Sequence, residues 1–167
     1  VEQVATTIPG PETDELCDLA KGMSIWICVG LFERLDNEIY NAAILISSDG
    51  TLAGVYRKTH ETQSVLKQMP YSLGDELSVH ETPWGKVGML ICHDRWYPEN
   101  ARTLALKGAK FVLNPVATSI FAPGHDYYEV HRCVLRSQAY LNGLFWASCN
   151  SANHGGKSLV IDNKGDI

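Results

Sequence analysis

A layered α/β domain is the fold class this sequence predicts, and three observations carry the prediction. Apolar, β-branched runs such as SIWICVGLF, KVGMLIC and LFWASCN alternate with segments of helical period. The 167 residues suffice for one domain with a buried core and are too few for two large ones. No internal repeat, low-complexity segment or linker divides residues 1–167, so a single domain is expected. With 14 basic and 19 acidic residues the net charge is −5, and 45% apolar and 20% charged residues describe an ordinary globular protein. Lysines and arginines are scattered, so no stripe for nucleic acid is expected. The longest apolar stretch, residues 25–32, falls far short of the roughly 20 residues a bilayer span requires, and VEQVATTIPG lacks the pattern of a signal peptide.

Pro11 to Asp14 lead into ELCDLAKG, a short helix with Leu16, Leu19 and Ala20 on one face and Gly22 as its left-handed stop. SIWICVGLF follows as a central strand covered on both faces. YNAAILIS and TLAGVYRK flank Ser48, Asp49 and Gly50, whose Asp-Gly pair favours a tight hairpin, so Lys58 closes a strand. Residues 59–75 read as a polar loop. LSVH and KVGMLIC form two strands about the turn Thr82-Pro83-Trp84-Gly85, with Cys92 closing the second. Pro98 and Glu99 suit the first turn of a helix that stops at Lys107-Gly108. Then come the strand FVLNP, the loop TSIFAPG, a helix from about Tyr127 to Asn142-Gly143, and the buried strand LFWASCN. KSLVID opens a hairpin about Asn163, Lys164 and Gly165. Its missing second arm, and the tail before Pro11, predict a domain lacking its N-terminal strand and helix and its C-terminal end.

Five cysteines form no C-x-x-C pair and cannot all close into internal disulfides, which favours a reducing, cytoplasmic compartment. Histidines are dispersed, and His125, Asp126 and His131 make only a poor metal pattern, so no metal is expected. Cys92 sits at the carboxyl end of a buried strand, where open α/β sheets place their sites, and the positive start of the next helix favours its thiolate. It reads either as a nucleophile or as one more small buried hydrophobe, the reading given to Cys28, Cys133 and Cys149. Lys58, also at a strand end, could favour a thiolate and bind an oxyanion; taken alone it reads as a solvated charge.

GVYRKTH and WGKVGMLICHDRWYPENARTLALKGAKFVLNPVA together resemble the nitrilase superfamily of carbon-nitrogen hydrolases, and PGPETDELCDLAKGMSIWICVGLFER, YNAAILISSDG and SLVIDNKGD agree with its pattern. The resemblance implies an αββα sandwich and a Glu-Lys-Cys constellation that hydrolyses amides, carbamoyl or ureido compounds, or nitriles, through a covalent thioester without cofactor or metal. Carried over, Cys92 is the nucleophile, Lys58 the cation beside the tetrahedral intermediate, and the His93 backbone N–H completes the oxyanion site. Asp94, Arg95 and Glu99 match the cysteine motif as braces of the turn. The resemblance also implies a homodimer or larger assembly through the helices flanking the cysteine turn and the segment from Tyr127 to Leu141.

Three departures stand beside it. The general-base glutamate of the family precedes the helix at Pro11, so it is expected to be absent here and the chain to be inactive alone; Glu33 and Glu38 read as solvated loop charges. The second glutamate of many amidases precedes a loop glycine that Gly74 matches, where this chain has Val65, Leu66, Lys67 and Gln68. Leu141 stands at an acidic position of RSQAYLN. Trp96, Tyr97, Phe121, Tyr127 and Tyr128 read as pocket lining or as core. His93-Asp94 after the cysteine favours an amide over a nitrile, since nitrilases usually carry Trp-Glu. The competing readings are a catalytically silent binding or assembly module, and a cysteine hydrolase with His93 or His60 as base.

Overall fold

The computed structural model describes residues 1–117, 121–122, 125–154 and 156–167. They divide into two compact units, residues 1–76 and 77–167.

In the first unit, helix α1 (Pro11–Met23) starts where Pro11 needs no amide partner and the Gly10 N–H donates to Thr13 Oγ1 at 2.7 Å. It ends at Ser24, which takes the left-handed conformation at φ 55°, whereas Gly22, the expected stop, lies inside the helix. Ala20 buries with Leu16 and Cys17 against Ile44 and Ile46, while Leu19 faces outward. The sheet runs β1-β2-β3-β4, with strands β1 (Ala5–Thr6), β2 (Ile27–Leu35), β3 (Glu38–Ile46) and β4 (Leu52–Arg57). β2 and β3 pair antiparallel from Ile27↔Ile46 to Leu35↔Glu38. β2 is interior to the sheet as expected, but most of its residues are only half-buried, so double coverage is not met within these residues.

Extending β2 to Leu35 overturns the reading of Glu33 as a loop charge. Glu33 is a strand residue, buried, and takes a two-pronged hydrogen bond from Arg57 of β4, Nε to Oε2 at 2.6 Å and Nη2 to Oε1 at 2.8 Å. The hairpin between β3 and β4 turns as read: Gly50 adopts φ 85°, and the Thr51 N–H donates to Asp49 Oδ1 at 3.0 Å. Within the expected loop after Lys58 a helix forms, α2 (Gln63–Gln68), because Thr62 caps it by accepting from the Val65 N–H. The same segment returns to the sheet at Gly74, whose N–H donates to the Lys58 carbonyl at 2.8 Å.

The second unit carries a sheet in the order β11-β10-β7-β6-β5, with β5 (Val79–His80), β6 (Val87–Met89), β7 (Phe111–Val116), β10 (Phe145–Asn150) and β11 (Leu159–Ile161). Its centre, β6-β7-β10, is parallel, and both edges are antiparallel. Connecting them are α3 (Pro98–Leu106), α4 (Tyr127–Asn142) and the short pair β8 (Phe121–Ala122), within the expected loop, and β9 (His125–Asp126), just after it. α3 packs so tightly on β6 that a Cβ at Gly88 would lie 2.7 Å from Leu104 Cδ1. The cysteine assumption fails here: Cys28 is half-buried, and Cys133 and Cys149 are exposed. Leu141 is also exposed. Among the described residues no helix is long and apolar enough to cross a membrane.

A Cβ at Gly74 would lie 2.5 Å from the Arg57 carbonyl oxygen and 2.7 Å from the Arg57 Cβ, with backbone on one side that cannot swing away. Gly74→Ala is therefore expected to cost about 1–3 kcal/mol, the usual penalty of overpacking, as a lower denaturation midpoint in urea.

Candidate active site

Cys92 does not close β6. That strand ends at Met89; the Leu90 N–H still donates to the Leu113 carbonyl at 3.0 Å, and the chain then turns into a 3₁₀ segment, Cys92–Trp96. An apolar run such as MLIC continues past the last sheet bond because the residues after it remain buried, which periodicity alone cannot distinguish from strand. Cys92 itself takes φ 45°, a region rarely occupied by a residue with a Cβ.

A buried polar frame holds this conformation. The Asp94 carboxylate accepts the Ile91 N–H at 2.8 Å, and the Asp94 N–H donates to the Ile91 carbonyl at 3.0 Å. Asn100, in the first turn of α3, donates to the Asp94 carbonyl at 3.0 Å. Asn114 of β7 donates to the Leu90 carbonyl at 2.8 Å and accepts from the Ser148 hydroxyl of β10 at 3.2 Å. Asp94, Asn100, Asn114 and Ser148 are all buried, so these bonds are shielded from competing water. Asp94 thus closes the turn from Ile91 with both its carboxylate and its backbone N–H. Sequence reading missed Asn100, Asn114 and Ser148; the signal available was a polar residue inside otherwise apolar strand and helix faces.

Arg95 is also buried, 3% exposed, but it does more than brace: its Nη1 lies 3.6 Å from Cys92 Sγ and its guanidinium lies over the Trp96 ring. His93 is half-buried with its ring edge against Tyr97. Glu99 is exposed in the first turn of α3, where its charge complements the helix end. Tyr128 is half-buried between the cations Arg132 and Lys157; the side chains of Phe121 and Tyr127, also named as lining, lie outside the described residues.

Lys58 belongs to the first unit, one residue past β4, and its N–H continues the ladder to the Asn41 carbonyl at 2.8 Å. The solvated reading fails: the side chain is 1% exposed. Its ammonium donates to the His60 carbonyl and lies 3.3 Å from Glu61 Oε2. Glu61 also accepts the Tyr71 hydroxyl and the Thr62 N–H, each at 2.8 Å. Burial works against the Glu61 charge, yet the Thr62 amide, the Lys58 ammonium and the Tyr71 hydroxyl outweigh it and hold the carboxyl below its ordinary value. Glu61 was not singled out in the sequence, because nothing in KTHET marks a bend that folds residue 61 back on residue 58. A cavity of about 750 Å³ in this unit, lined by Glu38, Ile39, Leu66 and Tyr71 among others, includes neither Lys58 nor Glu61.

Among the described residues no cluster of histidine, cysteine and carboxylate side chains could hold a metal ion. His131 on α4 is buried, its Nδ1 has no hydrogen-bond partner, and burial together with the Arg95 charge lowers its pKa to about 4. His125 and Asp126 have side chains outside the described residues.

The carbon-nitrogen hydrolase family model matches residues 1–167, and the chain belongs to that family. A citrullinase of Francisella tularensis is 34% identical over 163 residues, covering 89% of this chain and 57% of the relative. An N-carbamoylputrescine amidase of Solanum lycopersicum is 38% identical over 68% of this chain and 39% of its own length, and the omega-amidase of Homo sapiens is 30% identical over 99% and 64%. The matched part of the chain thus spans 39% to 64% of the length of these relatives. A carbon-nitrogen hydrolase from Helicobacter pylori superposes with a TM-score of 0.80 at 27% identity, covering 93% of this chain and 60% of that one, so the fold class is that of the family.

A buried neutral imidazole makes stability depend on pH with a definite sign. Unfolded, His131 takes up a proton near pH 6.5; folded, it resists until about pH 4. Between those values the unfolded chain binds more protons, so stability falls as pH drops through that window. His131→Leu is expected to flatten this loss in urea titrations at pH 7, 6 and 5.

Proposed function

We propose that the whole protein hydrolyses the carbon-nitrogen bond of a small amide or carbamoyl compound through a thioester on Cys92. What carries the reading is the buried frame that presents one cysteine, at positive φ, at the carboxyl end of a parallel sheet in a carbon-nitrogen hydrolase chain. In this reading residues 1–167 form one domain of a larger protein whose general base lies outside them.

The Cys92 thiolate adds to the substrate carbonyl carbon and the carbonyl π electrons move onto oxygen. Lys58 and the His93 backbone N–H stabilise that oxyanion; a donor of this kind contributes about 10²–10³ in rate. The tetrahedral intermediate collapses, the carbon-nitrogen bond breaks, and the amine leaves with the proton taken from the thiol by the base. Water then adds to the thioester, releasing the acid and restoring the thiol. Glu61 is a positioning residue in this scheme. Three donors already occupy its carboxylate, and its lowered proton affinity makes it a weak base but a firm hold on the Lys58 ammonium.

An amide or carbamoyl substrate is favoured over a nitrile by His93-Asp94 after the cysteine and by relatives named as citrullinase and N-carbamoylputrescine amidase. Five free cysteines, two of them exposed, suit the cytoplasm. Exposed Leu106 on α3 and Tyr140 and Leu141 on α4 suit burial between copies in a homodimer or larger assembly.

The test is a panel of amides, ureido acids and nitriles given to the full-length protein, with mass spectrometry of the enzyme during turnover of a slow substrate. An acyl adduct on Cys92, absent in Cys92→Ala together with all turnover, is expected; turnover that persists in Cys92→Ala rejects the reading. Lys58→Ala is expected to lower kcat about 10²–10³-fold. Near-normal kcat in that variant would instead favour a histidine-based thiol enzyme. Glu61→Gln is expected to lower kcat by a smaller factor while leaving KM nearly unchanged.

A further inference from the structure

Beside Cys92 the second unit holds a buried cation that the family resemblance leaves as a brace. In a 3₁₀ turn, side chains three residues apart eclipse one another, so the order Cys92-His93-Asp94-Arg95 stacks the guanidinium over the sulfur. The Nη1 to Sγ distance of 3.6 Å is that of a hydrogen bond to sulfur. Arg95 Nε is buried with no hydrogen-bond partner. A buried cation in that condition is costly unless an anion faces it.

We propose that Arg95 is a further catalytic residue, whose guanidinium lies against the Cys92 sulfur and pairs with its thiolate form. This deepens the hydrolase reading and rests on it for the role of the thiolate, though the ion pair itself does not.

The surroundings fit. Asp94, the nearest acidic residue in the chain, has its carboxylate turned to the Ile91 N–H. Trp96 covers one face of the guanidinium and excludes water from it. His131, from α4, is a titratable group close enough for the Arg95 charge to act on it, and its preference for the neutral form avoids a second positive charge there. Among the described residues the Cys92 sulfur, 3.6 Å from Nη1, is thus placed to face Arg95 as an anion.

Iodoacetamide tests the pair directly, since the thiolate displaces iodide from carbon and needs no amide turnover. The full chain, Arg95→Gln and Arg95→Lys are alkylated at pH 7 and pH 10, and adduct on Cys92 is followed by peptide mass spectrometry, with exposed Cys133 and Cys149 as internal standards. Arg95→Gln is expected to slow Cys92 about tenfold at pH 7 and to match wild type at pH 10, where thiols ionise without help. Arg95→Lys, which keeps a cation, is expected to recover most of the pH 7 rate. Equal rates at pH 7, a deficit undiminished at pH 10, or a lysine variant as slow as glutamine would each overturn the proposal. A charge-dependent Cys92 in a protein that cleaves no amide would retire the hydrolase reading and leave this pair standing.

Discussion

The buried carboxylate of Asp94 accepts the Ile91 amide, and the bond closes a turn that holds Cys92 at φ 45°. A residue with a Cβ in that region costs about 1–3 kcal/mol and persists only where its surroundings over-determine it. Here they do, from three directions: Asn100 of α3 on the Asp94 carbonyl, Asn114 of β7 on the Leu90 carbonyl, and Ser148 of β10 on Asn114. Removing the carboxylate would strand a buried N–H, which is worth more than the bond itself. The frame ties helix, strand and turn into one rigid mount for the sulfur.

The first unit holds its charge differently. Lys58 follows directly after Arg57, and the two cations divide between two carboxylates of distinct origin. Arg57 is held by Glu33 across the sheet in planar, two-pronged geometry, and Lys58 by Glu61 from the chain that follows. Neither carboxylate is left to water. Glu33 takes Arg57 at 2.6 Å, and Glu61 lies 3.3 Å from the Lys58 ammonium.

Elements with explicit punctuation were legible in the sequence. Asp49-Gly50 marks the β3-β4 hairpin, and Pro98 with Lys107-Gly108 bounds α3, because each residue type answers a local backbone demand. The segment about Cys92 was legible as a motif and misplaced as a strand end, since the apolar run outlasts the ladder. Helix α2 escaped because six residues with no buried side chain leave no period to read. Among the candidate residues, Cys92 and Lys58 emerged from position and resemblance, whereas the partners found for Arg57, Lys58 and the cysteine turn, Glu33, Glu61 and Asn114, did not. Their roles depend on partners 24, 3 and 24 residues away, joined by sheet register or an irregular bend rather than by any regular spacing.

The Gly74 amide on the Lys58 carbonyl clasps both ends of the intervening stretch at the foot of β4. With its neck tied, the arc between Thr62 and Tyr71 can change length at little expense: doubling it would cost only about 0.6 kcal/mol in closure entropy, while β4 keeps its register and Thr62 and Tyr71 keep their hold on Glu61.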